Sequence, residues 1–359
     1  MKNDKIKLIR QKLDVIDDKI LELLKQRGCL AKSILLAKEK KGESIFNPVR
    51  ETEIIRRLSG KDTSPFSPEN IRSIFVEIIS ASRSLETKLK VAYLGPEATY
   101  THQASLEFFG KSADFQPVNQ IPDIFREVSR GTCNFGVCPI ENSSEGAVVH
   151  TLDMLLRSEL FITAEFIMPI SHCLLSNAPM NRIKKLYSPL IAFAQCRDWL
   201  SKHLSQLEHS EVSSTVQGIQ KALKEKYAAS LGGENAAKLY KIPIRAKNIQ
   251  DIEDNFTRFL VIGDKVNPPS VNDKTSIAFS IKDKVGALYE MLIPFKKSHI
   301  NLTKIESRPS RKQAWQYVFF VDFLGHVTDK KVVRALDELR SETVFLKILG
   351  SYPALNGVK

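Results

Sequence analysis

From Asp4 to about Lys41 the chain carries no proline and one glycine, and Leu8, Leu13, Ile16, Ile20, Leu23 and Leu24 recur at helical spacing. The pattern predicts one long helix. At ~1.5 Å per residue it extends ~55 Å, against a radius of gyration of ~12 Å for a compact domain of about 90 residues. Alone, such a helix leaves its apolar stripe in water. A second helix is predicted from Pro48, in its first turn, to Leu58, and a loop rich in Ser, Pro and Gly (Ser59 to Pro68) leads to a third, Glu69 to Leu89. Three helices with one overlong arm predict an intertwined dimer.

At Lys90 the texture changes. Short apolar runs, Val91 to Leu94, Phe135 to Ile140, Phe161 to Met168 and Phe259 to Ile262, alternate with helical stretches, which is an α/β pattern. Val266 to Lys274, with Pro268 and Pro269, reads as a linker. Thr275 to Tyr352 then follows the order strand, helix, strand, strand, helix, strand, an α+β module of a kind that binds or dimerises. Three domains are expected, at residues 1–90, 91–266 and 274–353.

Composition narrows the class. With 43% hydrophobic and 26% charged residues the chain is a globular protein, and it has no apolar run near the roughly 18 residues that span a bilayer. Its five cysteines, Cys29, Cys133, Cys138, Cys173 and Cys196, make no pair at metal or redox spacing and read as reduced thiols of a cytoplasmic protein. Of the net charge of +12, residues 1–90 hold +7, from 20 Lys and Arg against 13 Asp and Glu. Those cations lie along helices without the motifs of nucleic-acid binders, so a small polyanionic substrate is the expected partner, and neither nucleic acid nor membrane is.

Arg27 and Lys38 are eleven residues apart, which returns them to one face of the first helix within about 20°, ~16 Å apart. They can bracket one ligand. Arg10, ~25 Å before Arg27 along the axis, reaches the same ligand only across a dimer. Taken with Asn47-Pro48-Val49-Arg50-Glu51, Ser82 and Glu86, this order resembles the all-helical (AroQ-type) chorismate mutases over residues 4–88. The resemblance implies rearrangement of chorismate to prephenate. Arg10 from the partner subunit and Arg27 take the carboxylates, with Arg50 nearby, and Ser82 belongs to the same substrate-binding set. Lys38 and Glu86 flank the ether oxygen, and Glu51 accepts from the substrate hydroxyl beside Asn47. Bidentate arginines suit carboxylates, and donors at the ether oxygen stabilise the charge that develops there. Many relatives place glutamine where this chain has Glu86. A carboxylate cannot donate, so Glu86 must carry a proton, and mutase activity is expected to fall as pH rises.

Three polar clusters follow. Tyr93 to His102, with Gly95-Pro96 and Thr99, and Pro139 to Gly146, with Glu141, Asn142 and Ser143, each follow an apolar strand; the first fits an anion site or an ordinary strand-to-helix turn, the second a ligand site or a helix cap by Asn142 or Ser143. Asn255-Phe256-Thr257-Arg258-Phe259 heads another strand. With Ile170-Ser171-His172-Cys173-Leu174 and Ala194-Gln195-Cys196-Arg197, they resemble the prephenate dehydratases over about Lys90 to Gly263, a two-lobed α/β fold. The resemblance implies expulsion of carbon dioxide and the ring hydroxyl from prephenate. Thr257 is then the essential residue, Glu141 the proton source, and Arg258, Asn142, Ser143 and Gln195 the carboxylate-binding and orienting set, with Thr99 and Phe259 in the substrate site. The chain departs from the family at Ala98, usually glycine; at Ser188-Pro189-Leu190-Ile191, usually Ser-His-Pro-Gln; and at Gln217, often glutamate.

Val285-Gly286-Ala287-Leu288 and Ile305-Glu306-Ser307-Arg308-Pro309 resemble the two motifs of the phenylalanine-binding ACT domains, an α+β βαββαβ fold. Gly286, Ala287, Leu288, Glu306, Ser307, Arg308 and Pro309 are the effector residues this implies, with feedback by phenylalanine and a homodimer or larger homo-oligomer. The resemblances imply no metal and no organic cofactor. An amino-acid sensor with decayed catalytic modules is the alternative, against which stand the retained Arg10, Arg27, Lys38, Glu51 and Thr257.

Overall fold

The computed structural model describes residues 2–40, 46–281, 285–309 and 317–355. Its internal contacts divide the chain into two units, one holding the residues up to Leu89 with Glu107–Asp114, the other Lys90–Leu106 and everything from Phe115 onward.

In the first unit α1 (Lys2–Lys40) is the long helix, while Lys41 lies outside the described residues. It is followed by α2 (Pro48–Ser59) and α3 (Pro68–Arg83). Both short helices start as their sequences dictate. Asn47 and Ser67 cap them through their side chains, and proline occupies the first turn, where no backbone donor is missed. The third helix is shorter than the expected run to Leu89; it ends at Arg83, so Glu86 lies in the turn beyond it. Along α1 the aliphatic residues Leu8, Leu13, Ile16 and Ile20 are each about half exposed, at 54, 52, 51 and 49%. Of its large aliphatic side chains, Leu35 is buried.

The second unit begins with β1 (Lys90–Leu94), α4 (Tyr100–Phe109, its last three residues counted with the first unit), β2 (Asp114–Val118, its first residue likewise), α5 (Ile121–Ser129), β3 (Phe135–Asn142), the short β4 (Gly146–Ala147), α6 (Val149–Arg157) and β5 (Phe161–Pro169). A second lobe follows, with β6 (Cys173–Leu175), β7 (Lys185–Ser188), α7 (Leu190–Gln195), α8 (Arg197–His203), β8 (Glu208–Glu211), α9 (Thr215–Lys224), β9 (Ala228–Gly232), α10 (Glu234–Leu239) and β10 (Ile244–Ala246). The chain then returns to the first lobe as β11 (Phe256–Gly263), giving the order β2-β1-β3-β11-β5, while the second lobe is β10-β6-β9-β7-β8. Two crossings between the lobes leave a cleft.

The rest, β12 (Asp273–Ile281), α11 (Ala287–Lys297), β13 (Leu302–Pro309), β14 (Tyr317–Leu324), α12 (Lys330–Glu342) and β15 (Thr343–Pro353), forms the expected βαββαβ module around the sheet β13-β14-β12-β15. One face of that sheet packs on α11 and α12 through Phe279, Phe295, Phe323 and Leu336. The other, with Ala278, Phe320 and Tyr352, shares a core with Ile162, Leu260 and Ile262 of the first lobe. The segment read as a linker is pinned: Asn267 donates from its buried amide to Thr163 O (2.7 Å) and Ser351 O (3.0 Å).

Candidate active sites

In the first unit Arg27 Nη1 donates to Ser82 Oγ at 2.5 Å, linking α1 to α3. Glu51 is held by Arg83 Nη1 at 2.6 and 2.8 Å, and Arg83 also donates to Phe109 O. Burial raises the Glu51 carboxyl above its ordinary range, while the charges of Arg83, Lys38 and Arg27 pull it back. Three cations thus meet around one carboxylate. Asn47 Oδ1 caps α2 by accepting from Arg50 N, and the exposed Arg50 side chain pairs with Glu53. Glu86 stands 3.1 Å from Lys32 Nζ, and Arg10 is exposed on α1. That ion pair uses the carboxylate form of Glu86, so the protonated form needed for donation must release Lys32. Arg83 was not legible beforehand, because its pairing with Glu51 spans 32 positions with no local signal.

In the second unit a cavity of about 800 Å³ is lined from both lobes, among others by Thr99, Asn142, His172, Gln195, Thr257 and Phe259. Strand pairing places the central pair, since Thr257 lies opposite Asn142 and Arg258 opposite Glu141. Side chains alternate along a strand, so one pair faces the cleft and the other faces away. Between Arg258 and Phe259 the register shifts, with Phe259 opposite Pro139, and this bulge returns Pro139 to the cleft face.

Three expected cleft residues are therefore corrected. Arg258 points to the opposite face, where it donates to Glu165 (2.8 Å), Asp322 (2.7 Å) and Tyr352 Oη (3.0 Å). Burial opposes its charge, yet Tyr352, Asp322 and Glu165 outweigh that cost and raise its pKa. Glu141 faces the same way, 2.6 Å from Lys304 Nζ on β13, and is no proton source for the cleft. Ser143 Oγ donates to Asp254 O and accepts from Phe256 N, tying the two strand ends together outside the cavity. Arg308 is corrected too: it donates to Asp153 and to Val149 O of α6, docking β13 on the first lobe. Of the other residues expected at an effector site, Ser307 and Pro309 flank Arg308 on β13. Gly286 adopts φ 80°, a conformation glycine alone takes without strain, before the buried Ala287 and the exposed Leu288, and Glu306 and Ser307 run along β13 to Pro309.

The cleft's hydrogen bonds are mutually determined. Thr257 Oγ1 accepts from Asn142 Nδ2 at 2.9 Å. Asn142 Oδ1 accepts from Ser144 N (3.0 Å), Ser144 Oγ (2.6 Å) and Glu145 N (3.2 Å). Gln195 Nε2 donates to Ser144 Oγ at 3.0 Å, which turns its Oε1 to His172 Nε2 at 2.8 Å. His172 therefore carries a proton on Nε2, and burial lowers its pKa, which favours the neutral imidazole. Tyr100 Oη lies 2.7 Å from Ser171 O and 3.1 Å from His172 Nδ1, so its one proton is shared between these two acceptors. Thr99 Oγ1 donates to the backbone at Leu94 and Pro96. Among the described residues, those lining this cavity include no Lys or Arg. Hydroxyls and helix-start amides are its anion-facing groups, notably Ser213, Ser214 and Thr215 at the head of α9, a Ser-Ser-Thr run visible in the sequence but not singled out.

Sequence models of three families match in order: Chorismate mutase type II over residues 9–87, Prephenate dehydratase over 91–267 and ACT domain over 275–341. A bifunctional chorismate mutase/prephenate dehydratase of Aquifex aeolicus is 48% identical over 98% of both chains. The chain belongs to this bifunctional family. A Pseudomonas aeruginosa relative of the same name is 41% identical, again over 98% of each chain. Among solved structures, a prephenate dehydratase of Arthrobacter aurescens in complex with L-Phe superposes with a TM-score of 0.68 at 31% identity, covering 74% of this chain and 90% of that one. Family membership also gives the departures their meaning. Ala98, where the family usually has glycine, sits at φ 68°, so the backbone keeps the shape that glycine serves. Gln217 Oε1 accepts from Ser213 N and Oγ, while Ser214 Oγ caps α9 by accepting from Gln217 N, so the side chain at 217 ties down the residue before the cap.

Proposed function

We propose that this protein rearranges chorismate to prephenate in its helical unit and converts prephenate to phenylpyruvate in its two-lobed cleft, in phenylalanine biosynthesis, with phenylalanine acting through the C-terminal module. The ordered succession of the three family matches carries this reading. In the first reaction Arg27 grips a substrate carboxylate while Lys38 donates to the ether oxygen, and Arg10 arrives from a second copy. The half-exposed stripe on α1 supports that intertwined homodimer. Arg50, Asn47, Ser82 and Glu86 complete this site, and Glu51 acts within the charge cluster that Arg83 anchors.

In the second reaction Thr257 hydrogen-bonds the departing ring hydroxyl, with Asn142, Gln195, Thr99 and Phe259 around it. The chemistry runs in the cytoplasm, and no helix among the described residues is long and apolar enough to cross a membrane. Purified protein given chorismate should accumulate prephenate and then phenylpyruvate, and phenylalanine should suppress the second step. Thr257→Ala should retain the first product and lose the second; full phenylpyruvate formation by that variant refutes the assignment.

A further inference from the structure

Asn142 has a role that the substrate-binding expectation does not contain. Its side-chain oxygen accepts from two backbone N–H groups, Ser144 N at 3.0 Å and Glu145 N at 3.2 Å. Backbone amides only donate, so the end of the side chain facing them is the oxygen and the other end is the nitrogen. That nitrogen faces three acceptors: Thr257 Oγ1 and Asn255 Oδ1 at 2.9 Å, and Phe256 O at 3.2 Å. Cross-strand pairing of Thr257 with Asn142 holds the contact in place.

The consequence falls on the threonine. A hydroxyl has one proton and two lone pairs, and here a lone pair is engaged by an N–H that cannot accept in return. Thr151, Thr163 and Thr275 in the same unit give their protons to backbone carbonyls, at Pro139, Val261 and Gly325. Thr257 does not: among the described residues no acceptor takes its proton, and it lines the cavity. We infer that Asn142 is a positioning residue that fixes the polarity of the Thr257 hydroxyl, presenting its proton to the departing ring hydroxyl of prephenate.

This rests on the dehydratase reading. In that step the bond from the ring to its carboxylate breaks, its electron pair aromatises the ring, carbon dioxide leaves, and the carbon–oxygen bond to the hydroxyl breaks. The departing oxygen gains negative charge and leaves as water with a proton drawn from solvent. A donor aimed at that oxygen strengthens as charge develops, which lowers the barrier more than it tightens ground-state binding.

Two variants test the inference against prephenate. Asn142→Ala removes the donor without adding charge; we expect dehydratase kcat to fall roughly 100-fold with KM within about threefold. Asn142→Asp replaces the donor by an acceptor that captures the Thr257 proton, so its activity relative to wild type should recover as pH falls and the carboxyl regains a proton. His172, Tyr100 and Glu145 also line the cleft and Glu141 and Arg258 lie behind it, so both profiles are measured together. In a Thr257→Val background, Asn142→Ala should cost less than about twofold further, because an effect transmitted through the hydroxyl disappears with it. A raised KM with unchanged kcat, additive losses in the double variant, or a pH-independent Asp variant overturns the inference. A wild-type chain that leaves prephenate untouched overturns the dehydratase reading instead.

Discussion

Replacing Arg258 by glutamine separates two views of the residue. In the structure its guanidinium meets Glu165, whose side chain is 0% exposed, and Asp322, at 10%. Removing one partner of a buried ion pair costs about 3–5 kcal/mol, since the charge left behind is uncompensated. The lower end applies here. Glu165 keeps Lys274 at 2.7 Å, and Asp322 keeps the hydroxyl of Ser276 at 2.5 Å. About 3 kcal/mol corresponds to a fall of roughly 6–12 °C in the thermal transition of a unit this size. Scanning calorimetry of wild type, Arg258→Gln, Asp322→Asn and the double variant measures it, and the double variant should be less destabilised than the sum of the singles. The prephenate KM should stay within a few-fold. A KM raised about a hundredfold with an unshifted transition would show that Arg258 reaches the substrate carboxylate, and the strand-face argument would fail.

Other expectations are more local. His172 is buried and neutral, and its pKa is lowered from about 6.5 by desolvation. As pH falls through about 6.5 the unfolded chain takes up this proton first, so the group's stability contribution is present above that pH and lost below it. Denaturant midpoints at about pH 7.5 and 5.5 should therefore differ more in wild type than in His172→Gln. Ala98→Gly, at φ 68°, should stabilise the unit by about 0.5–1 kcal/mol in the same measurement, relief of left-handed strain exceeding the entropy glycine loses. Glu86→Gln supplies an uncharged donor and frees the group from Lys32, so its mutase kcat should rise about two- to tenfold above wild type, the worth of one hydrogen bond. An equal or lower rate counts against this. Ser307→Ala should raise the phenylalanine concentration for half-inhibition about three- to tenfold, the worth of one hydrogen bond, and an unmoved curve excludes Ser307 from the effector pocket.

Much of this architecture is written locally. The apolar spacing of α1, the prolines at Pro48 and Pro68 and the apolar run Phe135 to Ile140 report their elements because caps and periodicity act over a few residues. The period of two was equally available at Thr257-Arg258 and Glu141-Asn142, and it assigns neighbours to opposite faces. The resemblance groups Arg258 with Thr257, whereas the strand period separates them. Other partners were out of reach: Arg83 for Glu51, or Asp322 and Tyr352 for Arg258, are brought near only by tertiary packing.

The pairing of β3 with β11 has one more consequence. Because adjacent residues serve opposite faces, losing or gaining a single residue within β11 would turn a guanidinium into the cleft and a threonine toward Glu165 and Asp322, and the same change in β3 would exchange Asn142 with Glu141. Such a slip would damage the reaction centre and the seat of the C-terminal sheet in one step. This stretch can therefore change by substitution but not by length, and any lengthening the lineage tolerates should be confined to the surface turns that join the strands.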